Sequence, residues 1–370
     1  MHLSFKNLFF TIASVFGIFA ILILAKPVLI PLAFAFLVAF ILFPVCQKFE
    51  AWGANKIFAA FLSMLSLFLI IAGGLFLFST QIIDLSENLT EFKEKILEIF
   101  TDLTLFINQN FSFVPELERG ELLEKIKSGL SNSVGTLVGQ TFSGTAAFFT
   151  GLITSIVFTF LILIYRDGLV NALVQFFPEN HQDKAHKMFK SVQQVGQQYL
   201  FGMFIIVLVL GFTNSIGLLI IGIDNPFLFG FLAAILAIIP YAGTLIGAAI
   251  PVLYAFMSYD SLWMPISIAL FFWVVQFFES NLLTPKIVGG NLKVNAFTSI
   301  LSIIVGASVW GVAGMILFLP FSAMLKVVCQ EYIELKPLAL LIGEKNYTDS
   351  EKDDKPGLLK KWGEKIKGWF

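Results

Sequence analysis

Long apolar runs, broken at intervals by short clusters of charge, set the pattern of this 370-residue chain. Stretches free of Asp, Glu, Lys and Arg cover residues 8–25, 27–45, 57–79, 144–164, 199–222 and 262–278, each 17 to 24 residues long. A helix rising about 1.5 Å per residue needs roughly 20 residues to cross about 30 Å of hydrocarbon, so the pattern predicts six full transmembrane helices. The first run follows Lys6 but lacks a small-x-small cleavage site before Lys26-Pro27. It is read as a retained span that turns tightly into the second.

Two further apolar stretches break this rhythm. Residues 225–259 carry no charge but are interrupted by Pro240-Tyr241-Ala242-Gly243, which leaves arms at 226–239 and 244–257. Arms of that length reach only about 21 Å, too short to cross unaided. Residues 294–328 repeat the theme, with Gly306-Ala307-Ser308-Val309-Trp310-Gly311 at the break. Two re-entrant helical hairpins are the economical reading, although pairs of short crossing helices would give the same sidedness.

Composition confirms the solvent. The chain is 57% hydrophobic and 13% charged and holds 43 Phe, whereas ordinary globular proteins are about 25% charged. A soluble fold could not cover so much apolar surface. The fold class is therefore an all-α integral membrane protein in contact with the lipid bilayer. A net charge of −1 excludes a nucleic-acid binder that works through a global basic field. Cys46 and Cys329 are far apart and indicate neither a disulfide framework nor a metal site. His2, His181 and His186 form no ligand pattern, and no phosphate-binding loop, dinucleotide fingerprint or nucleophile elbow occurs. No catalytic residue, metal or cofactor is expected, and transport would be passive or gradient-driven.

Charge sets the orientation. With the N-terminus cytoplasmic, the inner segments hold Lys6, Lys48, Lys56, Arg166, Lys184, Lys187, Lys190, Lys286, Lys293, Lys326 and the tail lysines, 18 of the 24 basic residues. The short outer loops hold only Asp224 and Asp260. This is the positive-inside pattern of a multi-pass membrane protein with both termini cytoplasmic. On that topology, span 199–222 is followed by a hairpin dipping from outside and span 262–278 by one dipping from inside. A helix plus hairpin repeated in opposite orientation is an inverted repeat, and transporters of this kind bind substrate where broken elements meet.

The domain organisation follows. Residues 1–79 hold three helices, 80–143 a polar insertion, 144–328 the transport core with hairpins at 225–259 and 294–328, and 329–370 a charged cytoplasmic tail. In the insertion Ile82, Leu85, Leu89, Phe92, Ile96, Ile99 and Leu103 form a heptad stripe. Pro115 opens a second helix, and an extracytoplasmic helical hairpin is expected. On the inner side, 179–198 reads as an amphipathic helix with Met188, Val192, Val195 and Tyr199 on one face.

Few polar residues inside the apolar region could carry chemistry. Pro240 lacks an amide donor and frees the carbonyl four residues back, while Gly243 and Gly247 have the spacing that lets another helix approach. Pro285 and Gly289 break the second hairpin's approach in the same way, Asn281 and Thr284 offer side-chain oxygens, and Lys286 is an interface anchor or an anion contact. Gly306, Gly311 and Gly314 allow close packing or a moving surface. Glu279, near Gln276, is the candidate titratable group at the end of an apolar span, and Asn214 is polar in mid-span.

These residues carry a family resemblance. Pro240-Tyr-Ala-Gly243, then Ile246-Gly247 and Pro251, resembles the signature hairpin of the autoinducer-2 exporter family of bacterial membrane transporters. The stretch Asn281-Leu-Leu-Thr-Pro285-Lys-Ile-Val-Gly289, followed by Gly306, Gly311, Gly314 and Pro320, is similar to its second signature, and Tyr165-Arg166-Asp167-Gly168 also fits. The chain departs from the pattern at Thr244 and at Asn295-Ala296, where the family often has Pro. The resemblance implies export of a small polar signal such as autoinducer-2, or exchange of sodium or lithium for protons, by a homo-oligomer. An oligomeric channel-like pore and a non-transporting envelope scaffold are the alternatives.

Overall fold

The computed structural model describes residues 5–81, 148–289, 294–332 and 335–343. The insertion expected beyond Gln81 and the tail after Gly343 fall outside this range. Among the described residues the secondary structure is helical, apart from one isolated bridge between Val294 and Gly343. The helices are α1 (Phe5–Leu24), α2 (Lys26–Ala51), α3 (Lys56–Leu77), α4 (Phe148–Val174), α5 (Gln182–Ile221) and α6 (Pro226–Leu236). They continue with α7 (Ala242–Ser258), α8 (Trp263–Phe278), α9 (Ala296–Trp310), α10 (Val312–Glu331) and α11 (Lys336–Ile342). Two π-turns, Glu279–Leu283 and Pro285–Gly289, extend α8.

Six of the described helices are long and apolar enough to cross a membrane: α2, α3, α4, α5, α8 with its π-turns, and α10. Five coincide with expected spans. The sixth, α10, is the second arm of the hairpin expected at 294–328, and the run at 8–25 forms the 20-residue α1. The exteriors of α1, α3 and α4 present large apolar side chains such as Phe16, Phe68, Ile70, Phe76 and Ile153, as a lipid-facing surface requires.

Local chemistry explains the boundaries. Asn55 caps α3 by accepting the Phe58 amide at 2.8 Å, and Gly222 ends α5 in the left-handed conformation. Pro27, Pro226 and Pro337 stand in first turns, where a missing amide donor costs nothing. Pro44 inside α2 withholds a donor from the Phe40 carbonyl, and Gln197 of α5 supplies one across the interface at 3.0 Å. One residue earlier on α5, a Cβ at Gly196 would lie 2.6 Å from the Phe40 ring and 2.7 Å from the Met324 methyl. Helices α2, α5 and α10 therefore cross at a point that glycine makes possible, beside the apolar cluster of Ala33, Leu37, Leu317 and Met324.

Helices α2, α3 and α4 form a second unit around Ala39, Leu42, Cys46, Ala59, Ala60 and Leu163. At one end of it Arg166 pairs with Glu50 at 2.5 Å, stacks over Phe43 at 5.3 Å and donates to Cys46 Sγ at 3.5 Å. Its neighbour Asp167 pairs with Lys56. Three helices are thereby joined through a half-buried ionic cluster.

Two findings refine the expected elements. The amphipathic helix at 179–198 and the span at 199–222 are one continuous 40-residue helix, α5. The break predicted over Gly306–Gly311 narrows to Gly311 alone, with φ 61° and ψ −136°, so that α9 runs unbroken through Gly306. The two helical hairpins are α6–α7, with arms of 11 and 17 residues, and α9–α10, with arms of 15 and 20.

Candidate functional site: the junction of the two hairpins

The tip of the first hairpin is built around Pro240. The sequence expectation was that this proline would free the Leu236 carbonyl, but the chain tightens instead and the Ile239 amide takes that oxygen at 2.9 Å. Gly243 then packs so closely that a Cβ there would lie 1.7 Å from the same oxygen, so only glycine fits. The carbonyls of Ala237 and Ile238 have no donor among the described residues. Between Pro240 and Ala242 the chain makes a γ-turn: the Ala242 amide donates to Pro240 O at 2.7 Å, and Tyr241 holds φ 61° and ψ −58°. That conformation is rare and strained for a residue with a side chain, costing on the order of 1–3 kcal/mol. Tyr241 is 67% exposed. Thr244 spends its hydroxyl locally, donating to Tyr241 O at 2.9 Å. Gly247 lets α7 approach α6, since a Cβ there would sit 2.9 Å from Ala233 Cα.

The second part of the junction is the π-turn after α8. Gln276 Nε2 and Thr284 Oγ1 both donate to the Glu279 carboxylate, the latter at 2.5 Å, so each carboxylate oxygen has a partner. Val275, Leu283 and Ile287 on the same segment pack into a cluster with Ile206 and Leu210 of α5, Ala234 and Ala237 at the first hairpin's tip, and Leu319 and Ala323 of the second hairpin. Asn281 does not join the group; it turns back onto Phe277 O at 2.8 Å and Ser280 Oγ at 3.2 Å. Pro285 and Lys286 are exposed, and the Pro285–Gly289 turn packs on α5.

Asn214 lies one turn beyond Leu210 on α5. It is 4% exposed, and its Oδ1 has no partner among the described residues. The adjacent Gly211 would place a Cβ 2.6 Å from the Phe231 ring, and Ser215 sits against Gly230. Asn214 is thus held between the cluster at Leu210 and a second one that includes Leu218, Phe229, Tyr254, Ile268 and Phe272.

In the second hairpin Gly306 and Gly314 meet backbone to backbone, while Ser302 and Ser322 share a hydrogen bond at 2.7 Å. Trp310, at the tip, donates its indole N–H to Leu22 O of α1 at 2.9 Å. Of the sequence candidates, the structure brings together Gln276, Glu279 and Thr284, and places Pro240 and Gly243 at a tip packed into the same junction. Asn281 and Thr244 are occupied by local turns.

The roles of three residues escaped the sequence reading. Tyr241 is strained, a property of φ that its identity does not announce. Tyr259 joins the α5–α6 and α7–α8 turns: its hydroxyl meets Asp224 Oδ2 at 2.9 Å and receives the Asp224 amide at 2.9 Å. Burial, then the Asp224 charge, pushes the Tyr259 phenol up to about 12. Asn295 caps α9 and contacts α11; only the cap was recoverable from sequence, as an Asn before an apolar helix.

The chain has relatives of similar length. It is 25% identical to "Putative transport protein YrrI" of Bacillus subtilis, over 84% of this chain and 88% of that protein. It is 28% identical to "Putative transport protein YueF" of the same organism, over 82% and 84%. With "Putative transport protein YhhT" of Escherichia coli it shares 22% identity over 93% and 94%. Residues 8–334 match the sequence model described as AI-2E family transporter. A match over that much of an all-helical, membrane-spanning frame makes this chain a member of the AI-2E transporter family.

Proposed function

We propose that this protein is a secondary transporter of the bacterial inner membrane, with both termini cytoplasmic, in which α6–α7 and α9–α10 act as re-entrant hairpins of opposite orientation. It works as a homo-oligomer by alternating access, exporting a small polar solute or exchanging sodium or lithium for protons. The observation that carries this reading is the Glu279 carboxylate, held by Gln276 and Thr284 on a π-turn whose apolar side faces both hairpins. π-Turns of this kind concentrate at functional sites, and an ionisable group within a membrane segment is costly unless used. The nearby unpaired carbonyls of Ala237 and Ile238 add oxygen ligands of the sort that broken helices offer to cations.

The test is proton flux in proteoliposomes carrying an internal pH dye, after an external sodium or lithium pulse. Saturable flux that Glu279→Gln abolishes and Asn281→Ala leaves intact supports the exchange branch and its carboxylate. A flat trace in vesicles shown to contain correctly inserted protein removes that branch. The solute-export branch is then tested by counterflow of small polar metabolites.

A further inference from the structure

A helix cap normally uses one oxygen of an Asn side chain, leaving its NH2 group to water. At Asn295 both ends are employed. Oδ1 accepts the Thr298 amide at 2.8 Å and caps α9, while Nδ2 donates to Leu341 O at 2.6 Å and to Gly343 O at 2.9 Å. The Asn295 amide takes Ile342 O at 3.0 Å. One residue thus satisfies three successive carbonyls at the end of α11, the groups a helix terminus leaves without internal partners. Thr298, 7% exposed, adds its hydroxyl to Leu341 O at 3.4 Å, and Val294 bridges Gly343. The Lys326 side chain of α10 lies beneath the same turn, with Cε 3.0 Å and Nζ 3.4 Å from where a Gly343 Cβ would stand. Ala339 and Ile342 are buried on the same side.

Helix α11 begins just past residue 334, where the match to the family ends. The α9–α10 hairpin is therefore restrained at two places: at its tip by Trp310 on α1, and at its base by a segment outside the region shared with the family. We propose that α11 is a latch, fastened through Asn295, that holds the α9–α10 hairpin in the arrangement described here and couples its movement to the chain following residue 334. Asn295 is a positioning residue in this device. An aspartate there would still cap α9 but has no donor for the α11 carbonyls, so the two roles separate with a single isosteric change.

The experiment uses the full-length protein in lipid nanodiscs and requires no transported solute, so it stands or falls apart from the transport reading. Hydrogen exchange is followed over 335–343 and over the first turn of α9 in wild type, Asn295→Asp and Asn295→Ala. Hairpin mobility is read as the maleimide-labelling rate of Ser308→Cys, an exposed position in the last turn of α9. Cys46 and Cys329, fully buried, serve as internal controls. The latch requires that Asn295→Asp speed exchange over 335–343 at least tenfold, leave the first turn of α9 protected, and raise the Ser308→Cys labelling rate at least threefold. Asn295→Ala should lose protection in both segments. Three results would each overturn it: 335–343 staying protected in Asn295→Asp, α11 released with labelling unchanged, or α9 losing protection throughout in Asn295→Asp.

Discussion

The sharpest consequence of the packing concerns Gly314. A Cβ built there would lie 1.8 Å from Gly306 O and 2.4 Å from Gly306 C, whereas ordinary contact begins at 3.4 Å. Both obstacles are backbone atoms of a neighbouring helix, so no rotamer change can relieve them. Gly314→Ala must therefore separate α9 and α10 by about 1.6 Å, the difference between those two distances. The same displacement would stretch the Ser302–Ser322 hydrogen bond from 2.7 Å to beyond bonding range. Forced overpacking costs about 1–3 kcal/mol, and an interhelical hydrogen bond inside a membrane about 0.6 kcal/mol. A loss of about 2–4 kcal/mol follows. The control is Gly74→Ala in α3, where a Cβ meets nothing within 4 Å. That change should be neutral or stabilising by up to about 1 kcal/mol, because alanine is the better helix former. Thermal unfolding in detergent, followed by fluorescence-detected size exclusion, should show Gly314→Ala melting many degrees lower and Gly74→Ala at or above wild type. Equal melting temperatures for the two variants would refute the reasoning, since they would mean that α9 and α10 are not in backbone contact.

Three further outcomes follow from other contacts. Arg166→Gln leaves Glu50 half-buried without its cation and should cost about 1–3 kcal/mol, whereas Lys56→Gln removes an exposed pair and should change stability by less than about 1 kcal/mol; chemical denaturation of both variants makes the comparison. The raised pKa of Tyr259 means that the folded state holds its proton more tightly than the unfolded chain, so its contribution is complete below about pH 10 and is lost as pH rises towards about 12. Melting curves between about pH 8 and 11 should fall more steeply above about pH 10 in wild type than in Tyr259→Phe. Asn214→Leu replaces a buried acceptor that lacks a partner among the described residues and should raise the melting temperature of solute-free protein; a clear decrease would overturn that reading.

How far the chain could be read in advance depends on the scale of each feature. Apolar runs as long as a bilayer is thick announce α2, α3, α4, α5 and α8, because the solvent imposes length. The hairpin breaks at Pro240 and Gly311 were legible for a similar reason, as neither residue continues a helix comfortably. The extent of the second break was not, because Gly306 reads as a helix breaker until Gly314 is seen packed against it. The Glu279–Thr284 bond was out of reach for a geometric reason. Residues five apart stand about 140° apart around an α-helix, and only the wider π-turn brings them together. Gln197 and Phe40 are likewise joined across two helices by a donor deficit that Pro44 creates, which requires the packing to be known.

The two hairpins resolve the same problem in opposite ways. Each interrupts an apolar helix with a chain break, and if the hairpins are re-entrant as proposed, unsatisfied backbone groups there are expensive. The α9–α10 hairpin keeps its break to one glycine, closes its arms backbone to backbone, and is fastened at its tip through Trp310 and at its base through Asn295. Such an element can shift only as a body. The α6–α7 hairpin is fastened where it leaves α5 and enters α8, by the Tyr259–Asp224 pair, yet its tip holds a strained Tyr241 and the carbonyls of Ala237 and Ile238, which have no donor among the described residues. On the transport reading proposed above, strain and unmet acceptors at a tip that packs beside the Glu279 segment would let that tip rearrange when a donor or cation arrives, because such a ligand would satisfy groups the chain cannot. The fold thus concentrates rigidity in one hairpin and unmet bonding capacity in the other, and the two pack together at the Leu210–Ala237–Leu319 cluster, through which the proposed mechanism would pass a change in the first to the second.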